Sequence, residues 1–181
     1  MAEAAPWVGS IEVSADNKER PMLKLYRRVD GKLHYREAWA EPENRQVVEH
    51  WGVAGDRGET RNHPLAPTTD EDAAVASVLE DAVQQGYSPF DEDDMRILLV
   101  EYAVQGMGTR ADVEKRHALE GVLNESLGWT GLGHCDGGSI GSGTMEACCY
   151  VVDYEIARDV LINDLANTRF GDYTRIYDED A

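Results

Sequence analysis

The sequence predicts an α+β fold in two parts: an antiparallel sheet carrying one helix, then a βαββαβ unit. Three observations predict it. Residues 22 to 63 hold four short runs of alternating apolar and polar residues separated by turn sequences, the pattern of an antiparallel meander. The rhythm then breaks at Ser88-Pro89-Phe90 and Asp91-Glu92-Asp93-Asp94. Beyond the break, two helix-period segments interleave with four strand-like segments, two of which have continuous apolar centres, one of them Ile97-Leu98-Leu99-Val100.

Residues 1–19 read as an arm with one short strand from Trp7 to Val13, which Trp7 and Ile11 would pin to the body. Met22 to Arg28 alternates, with Leu23 and Leu25 facing opposite to Lys24 and Tyr26. Asp30-Gly31 is a favourable hairpin turn. Lys32 to Ala40 returns, with Leu33, Tyr35 and Trp39 at alternating positions, and Pro42-Glu43-Asn44 turns the chain again. Gln46 to Gly52 is the third strand, Gly55 to Gly58 a turn, and Glu59 to His63 the fourth strand. Thr68-Thr69-Asp70 then offers N-cap chemistry, with Glu71 and Asp72 in the first turn. Val75, Val78, Leu79 and Ala82 form one apolar stripe of a helix running to Gln85, suited to lie across the meander, and Gly86 is placed as its C-cap.

The stretch His50-Trp51-Gly52-Val53-Ala54-Gly55-Asp56-Arg57-Gly58, closing one strand and opening the next ahead of that helix, resembles the WGR domain. This is a small sheet-plus-helix module named for a Trp-Gly-Arg motif. The resemblance covers residues 20–87; Trp51 and Gly52 carry over, and Val53 stands where the motif has Arg. In DNA-damage-responsive ADP-ribosylating enzymes the motif's Trp and Arg touch nucleic acid or a neighbouring domain, so the resemblance implies a contact role for Trp51. Valine makes no bidentate phosphate contact, which leaves Arg45, Arg57 and Arg61 as the nearby cations for a basic patch. The alternative is that Trp51 packs on the helix as a core or rim aromatic.

Residues 88–94 read as a solvated acidic linker, because a bare carboxylate run rarely converges on a metal. The second domain, residues 95–181, holds in order a strand from Met95 to Tyr102, a helix from Arg110 to Leu127 capped by Thr109, a strand from Trp129 to Asp136, a Gly-rich turn, a strand from Thr144 to Asp153, a helix from Tyr154 to Asn167 and a strand from Tyr173 to Tyr177. This order resembles the ferredoxin-like fold by topology. Ile97 and Leu99 face one side of the sheet and Leu98, Val100 and Tyr102 the other. Two helices cover one face only, so the second face is expected to lie under the first domain or a second copy of the chain.

The segment Gly131–Gly143 is the main chemical candidate. It lacks the Lys of a Walker loop, and a strand rather than a helix follows it, unlike a Rossmann fingerprint. Gly137-Gly138-Ser139-Ile140-Gly141 fits G-x-S-x-G, but a nucleophile elbow turns from strand to helix. A flexible hairpin is expected, or a ligand loop using His134, Asp136, Gly138, Ser139 and Ser142. His134 and Cys135 are neighbours on a strand and diverge, so they make a poor base–nucleophile pair. Cys148 and Cys149 form no CxxC and read as small buried hydrophobes. No catalytic residue, cofactor or metal is expected.

Lys and Arg number 17 against 35 Asp and Glu, a formal net charge of −18. The imbalance is greater in residues 91–181, with 7 basic and 19 acidic residues. Such a chain repels polyanions. The N-terminus shows no signal peptide, no apolar run reaches membrane length, and three cysteines make no disulfide framework, so a cytoplasmic protein is expected. The expected function is a non-enzymatic binding or regulatory protein acting through protein–protein contacts, inhibitor- or immunity-like, with another protein or a second copy as partner. The alternatives are nucleic-acid binding through Trp51 and its nearby arginines, and a small-ligand binder or enzyme using the Gly-rich segment.

Overall fold

The computed structural model describes residues 22–179; the expected arm, with Trp7 and Ile11, lies outside them. Strands β1 (Met22–Val29), β2 (Lys32–Glu41), β3 (Gln46–Val53) and β4 (Glu59–Pro64) form an antiparallel sheet in sequence order. Its two faces differ. Leu25, Ala38, Ala40 and Val47 pack under Val75, Leu79 and Ala82 of the covering helical segment. That segment is two helices, α1 (Glu71–Val78) and α2 (Glu80–Gln84), not the single predicted one, because Leu79 leaves helical geometry with φ −96° and ψ 3°. Asp70 caps α1 by accepting from Ala73 N at 3.0 Å, and Gly86 ends the segment with φ +88°.

The expected linker is tied to the body at its start. Ser88 exchanges two backbone hydrogen bonds with Tyr26, at 2.8 and 3.0 Å, and Phe90 sets its ring edge-on to Tyr26 at 5.6 Å. Asp91 then accepts from Asp93 N at 3.1 Å and opens a 3-10 turn over Glu92–Asp94. Phe90 thus packs where the sequence predicted solvent: its ring gains apolar burial against the core, while the carboxylates that follow it stay exposed.

The second sheet holds β5 (Arg96–Ala103), β6 (Gly133–Gly141), β7 (Thr144–Val151) and β8 (Arg175–Asp178) in the order β6-β7-β5-β8, all neighbours antiparallel. Helices α3 (Arg110–Trp129) and α4 (Tyr154–Leu165) cover one face. Leu98, Val100, Tyr102, Met145, Ala147 and Val151 are buried against Leu119, Leu123, Leu127, Leu161 and Leu165. Thr109 and Asp112 form a capping box at the start of α3, and Asp153 accepts from Ile156 N to cap α4.

The Gly-rich segment is not a loop. It is β6, carrying one extra residue between Cys135 and Gly138, and the turn falls later, at Ser142 and Gly143, with φ +52° and +91°. Gly138 lies so close to β7 that a Cβ there would stand 2.0 Å from the Glu146 carbonyl oxygen. The outer edge of β6 is hydrogen-bonded by α3: Asn124 donates to Cys135 O and accepts from Cys135 N, and Arg116 donates to Gly138 O.

The first half does not cover the open face of the second sheet. Among the described residues this face is shielded by its own side chains. Arg175 pairs with Glu101 at 2.7 Å, Tyr177 and Ser139 donate to Glu146, and His134 stacks on Tyr150. These groups flank Leu99 and Cys148, so the apolar strip is narrow. The first half instead meets the end of the second sheet. Tyr26, Leu33, Tyr35 and Ala54 join the core beneath α3 and α4. Tyr26 Oη donates to Gly131 O at 3.0 Å and Gly55 N to Thr130 O at 2.9 Å.

Candidate functional site

The face of the first sheet turned toward the second half carries an unusual row. Strand register sets Lys24 opposite Glu37 and Glu37 opposite His50, so three polar side chains cross three strands side by side. Lys24 Nζ lies 2.7 Å from Glu37 Oε2, and Glu37 Oε1 lies 2.7 Å from His50 Nδ1. His50 Nε2 then faces Arg57 O at 2.7 Å and Tyr35 Oη at 3.0 Å. Tyr35 Oη also donates toward Asp56 O and Trp129 O, at 3.1 and 3.3 Å. Burial, and then the charges of Glu37 and Asp56, hold the Tyr35 phenol well above its ordinary pKa. Glu37 Oε2 is held by the Lys24 ammonium at 2.7 Å, so both carboxylate oxygens are engaged.

Trp129, the last residue of α3, closes this row from above. Its ring stands 5.0 Å from His50 and 6.1 Å from Trp39, the two indoles near perpendicular at 84°. Trp39 Nε1 donates to Glu41 at 3.1 Å, which fixes that ring. His50 is wholly buried. The His50–Tyr35 pair holds Glu37 from behind and pins the turn through Asp56 and Arg57.

A cavity of 610 Å³ opens on the row between Trp39 and Trp129, with Met22 and Glu125 at its lip. A second, of 530 Å³, shares Met22, Lys24, Asn124 and Gly128 and extends to Phe90, Met95 and His134. A third, of 280 Å³, continues from Met95 and His134 to Glu92, Asp136 and Tyr150. Together they make one cleft along the seam of the two halves, of a size that suits ligand or side-chain binding. Glu92, Glu125 and Asp136 on it have no ion-pair partner among the described residues, and its one lysine is engaged by Glu37.

The structure scatters the WGR-type candidates. Arg61 lies over the Trp51 ring at 5.3 Å. Trp51 shares its register row with Leu25's partner Arg36, on the face turned to α1 and away from the cleft. Gly52 sits against Gly58 and the Tyr35 ring. Arg57 reaches Asp164 of α4 at 3.6 Å. Arg45, with φ +54°, precedes β3 and so lies at the opposite end of that strand from Trp51. Of the Gly-rich candidates, His134 and Asp136 share the cleft, Ser139 is held by Glu146, Gly138 faces β7, and Ser142 is in the turn. A Cys135–Cys149 thiol contact and burial push the Cys149 thiol well up, and burial raises Cys148, so neither is an activated nucleophile.

Lys24, Glu37 and His50 were not among the expected site residues, and Trp129, expected to open a strand running to Asp136, instead ends α3, the strand beginning at Gly133. The available signal was a charged or titratable residue interrupting an inward row: Glu37 falls between Tyr35 and Trp39, and His50 follows Val48 two positions on. Among the described residues no three His, Cys, Asp or Glu side chains converge as a metal would need, and no helix is long and apolar enough to cross a membrane. No family model, curated protein or solved structure matches the chain.

Proposed function

We propose that the protein is a non-enzymatic binding or regulatory protein that meets a basic partner protein along the cleft between its halves. One observation carries this reading: among the described residues the carboxylates of Glu92, Glu125 and Asp136 on the cleft have no ion-pair partner, while Lys24, the lysine that lines it, is paired with Glu37. Complementary charge steers encounter and selects partners. The burial of His50 supports the non-enzymatic part, as does the engagement of Ser139 by Glu146. A WGR-like first half remains part of the proposal, supported by the meander, by Trp51-Gly52 near the end of β3 and by the helices across one face. A cytoplasmic setting is supported by the adjacent Cys135 and Cys149 thiols, which stay free.

A random peptide display library tests the reading. Selection on the full chain is expected to enrich basic sequences, and Glu125→Lys with Asp136→Lys is expected to abolish that enrichment. Enrichment of acidic sequences, or equal enrichment on the double variant, overturns it. The contact of Arg61 with Trp51 favours a second reading, nucleic-acid binding on the opposite face. Retention of single-stranded DNA at low salt, lost on Arg61→Ala, would establish that one instead.

A further inference from the structure

We infer that the cleft takes an arginine side chain of the partner, its guanidinium stacked on Trp129 and paired with Glu125. The inference rests on the binding reading above and names its anchor. Glu125 and Trp129 are four residues apart on α3, so they present to the same side of the helix. Trp129 is 38% exposed although its inner side is held by His50 and Trp39. Its orientation is thus preset, and a ligand stacking on it does not have to order it. Trp39 stands perpendicular and forms the second wall of a corner. Met22, 56% exposed, offers an apolar lip for the methylenes of an incoming chain.

Charge decides what fits that corner. Glu125 has no ion-pair partner among the described residues, and Glu92 and Asp136 lie further along the same cleft. An anion is repelled, and a purely apolar side chain leaves the Glu125 carboxylate without a counter-charge. Lys24 does not block a cation, because its ammonium is engaged 2.7 Å from Glu37. Between the two basic side chains, the planar and weakly hydrated guanidinium stacks on an indole and forks onto a carboxylate, which a compact, strongly hydrated ammonium does not.

The test uses the full chain and three nine-residue peptides, identical except for a central arginine, lysine or citrulline between two leucines. Trp51→Phe and Trp7→Phe in the background leave Trp39 and Trp129 as reporters. The arginine peptide is expected to change their fluorescence saturably. Citrulline, which keeps the shape and loses the charge, is expected to bind at least tenfold more weakly, and lysine several-fold more weakly. Glu125→Gln, at an exposed position, is expected to weaken the arginine peptide at least tenfold with an unchanged circular dichroism spectrum. Equal binding of the citrulline peptide, indifference to Glu125→Gln, or no saturation by the arginine peptide up to millimolar concentration overturns the inference. If display still enriches basic sequences while citrulline is tolerated, the anchor is wrong and the basic-partner reading stands. If nothing basic is enriched, both fall.

Discussion

His50 is buried without exposure, yet every polar atom of its ring has an oxygen within hydrogen-bond distance. Such a network is costly to break in part, because the groups left behind stay buried and unpaired. Tyr35→Phe removes the hydroxyl shared by His50, Asp56 and Trp129, and is expected to cost about 1–3 kcal/mol in urea unfolding. Alkaline pH gives a second prediction. The hydrogen bond that Tyr177 donates to Glu146, then burial, push its phenol from an ordinary value of 10.0 up to about 12. The folded protein therefore holds this proton more tightly than the unfolded chain. The resulting stabilisation is complete below about pH 10 and is lost as pH rises toward about 12. Tyr26, Tyr35 and Tyr102, raised by burial, act in the same direction. Urea midpoints measured between pH 8 and 12 are expected to fall, and Tyr177→Phe to flatten the slope. At this scale the sequence exposed Trp51 through a motif but hid Lys24, Glu37 and His50. Each lies on a different strand, and alternation tells which face a residue takes without telling which residue it will meet across the sheet.

At the scale of elements, most strands and helices were legible because period and punctuation agreed. Asp30-Gly31 turns a hairpin, Thr109 caps α3, and the apolar stripe of α4 is buried as its spacing implied. The glycine-rich segment misled, since glycine in quantity reads as a turn. Here it permits a close approach: a Cβ added at Gly138 on β6 would stand 2.0 Å from the Glu146 carbonyl oxygen on β7. Gly138→Ala is accordingly expected to lower the melting temperature far more than Gly121→Ala, whose Cβ would meet nothing within 4 Å. Differential scanning calorimetry of the two variants makes the comparison. The break at Leu79 was not legible, because Val75, Leu79 and Ala82 keep a helical apolar period straight through it.

For the whole molecule, the division into two sheets was visible in the sequence, but their joining was not. The residues that join them, Tyr26, Tyr35, Gly55 and Gly131, are spread over 105 positions and carry no local pattern. Because one core takes side chains from both halves, the halves are expected to unfold together. Tryptophan fluorescence and far-ultraviolet circular dichroism should trace a single coincident urea transition. Gly55→Ala sets a Cβ 2.6 Å from Ile156 Cγ2 at φ +100°. It is expected to wedge the seam and separate those two curves, whereas Arg57→Ala, removing an exposed pair with Asp164, costs about 0–1 kcal/mol.

Asn124 and Arg116 have a consequence beyond the stability of one molecule. By occupying the outward-pointing backbone groups of Cys135 and Gly138, they deny neighbouring molecules a template on a long border strand. The added residue at the bulge bends what remains of that strand out of line. A segment rich in glycine and poor in bulky side chains is thereby expected to resist edge-to-edge recruitment of further chains.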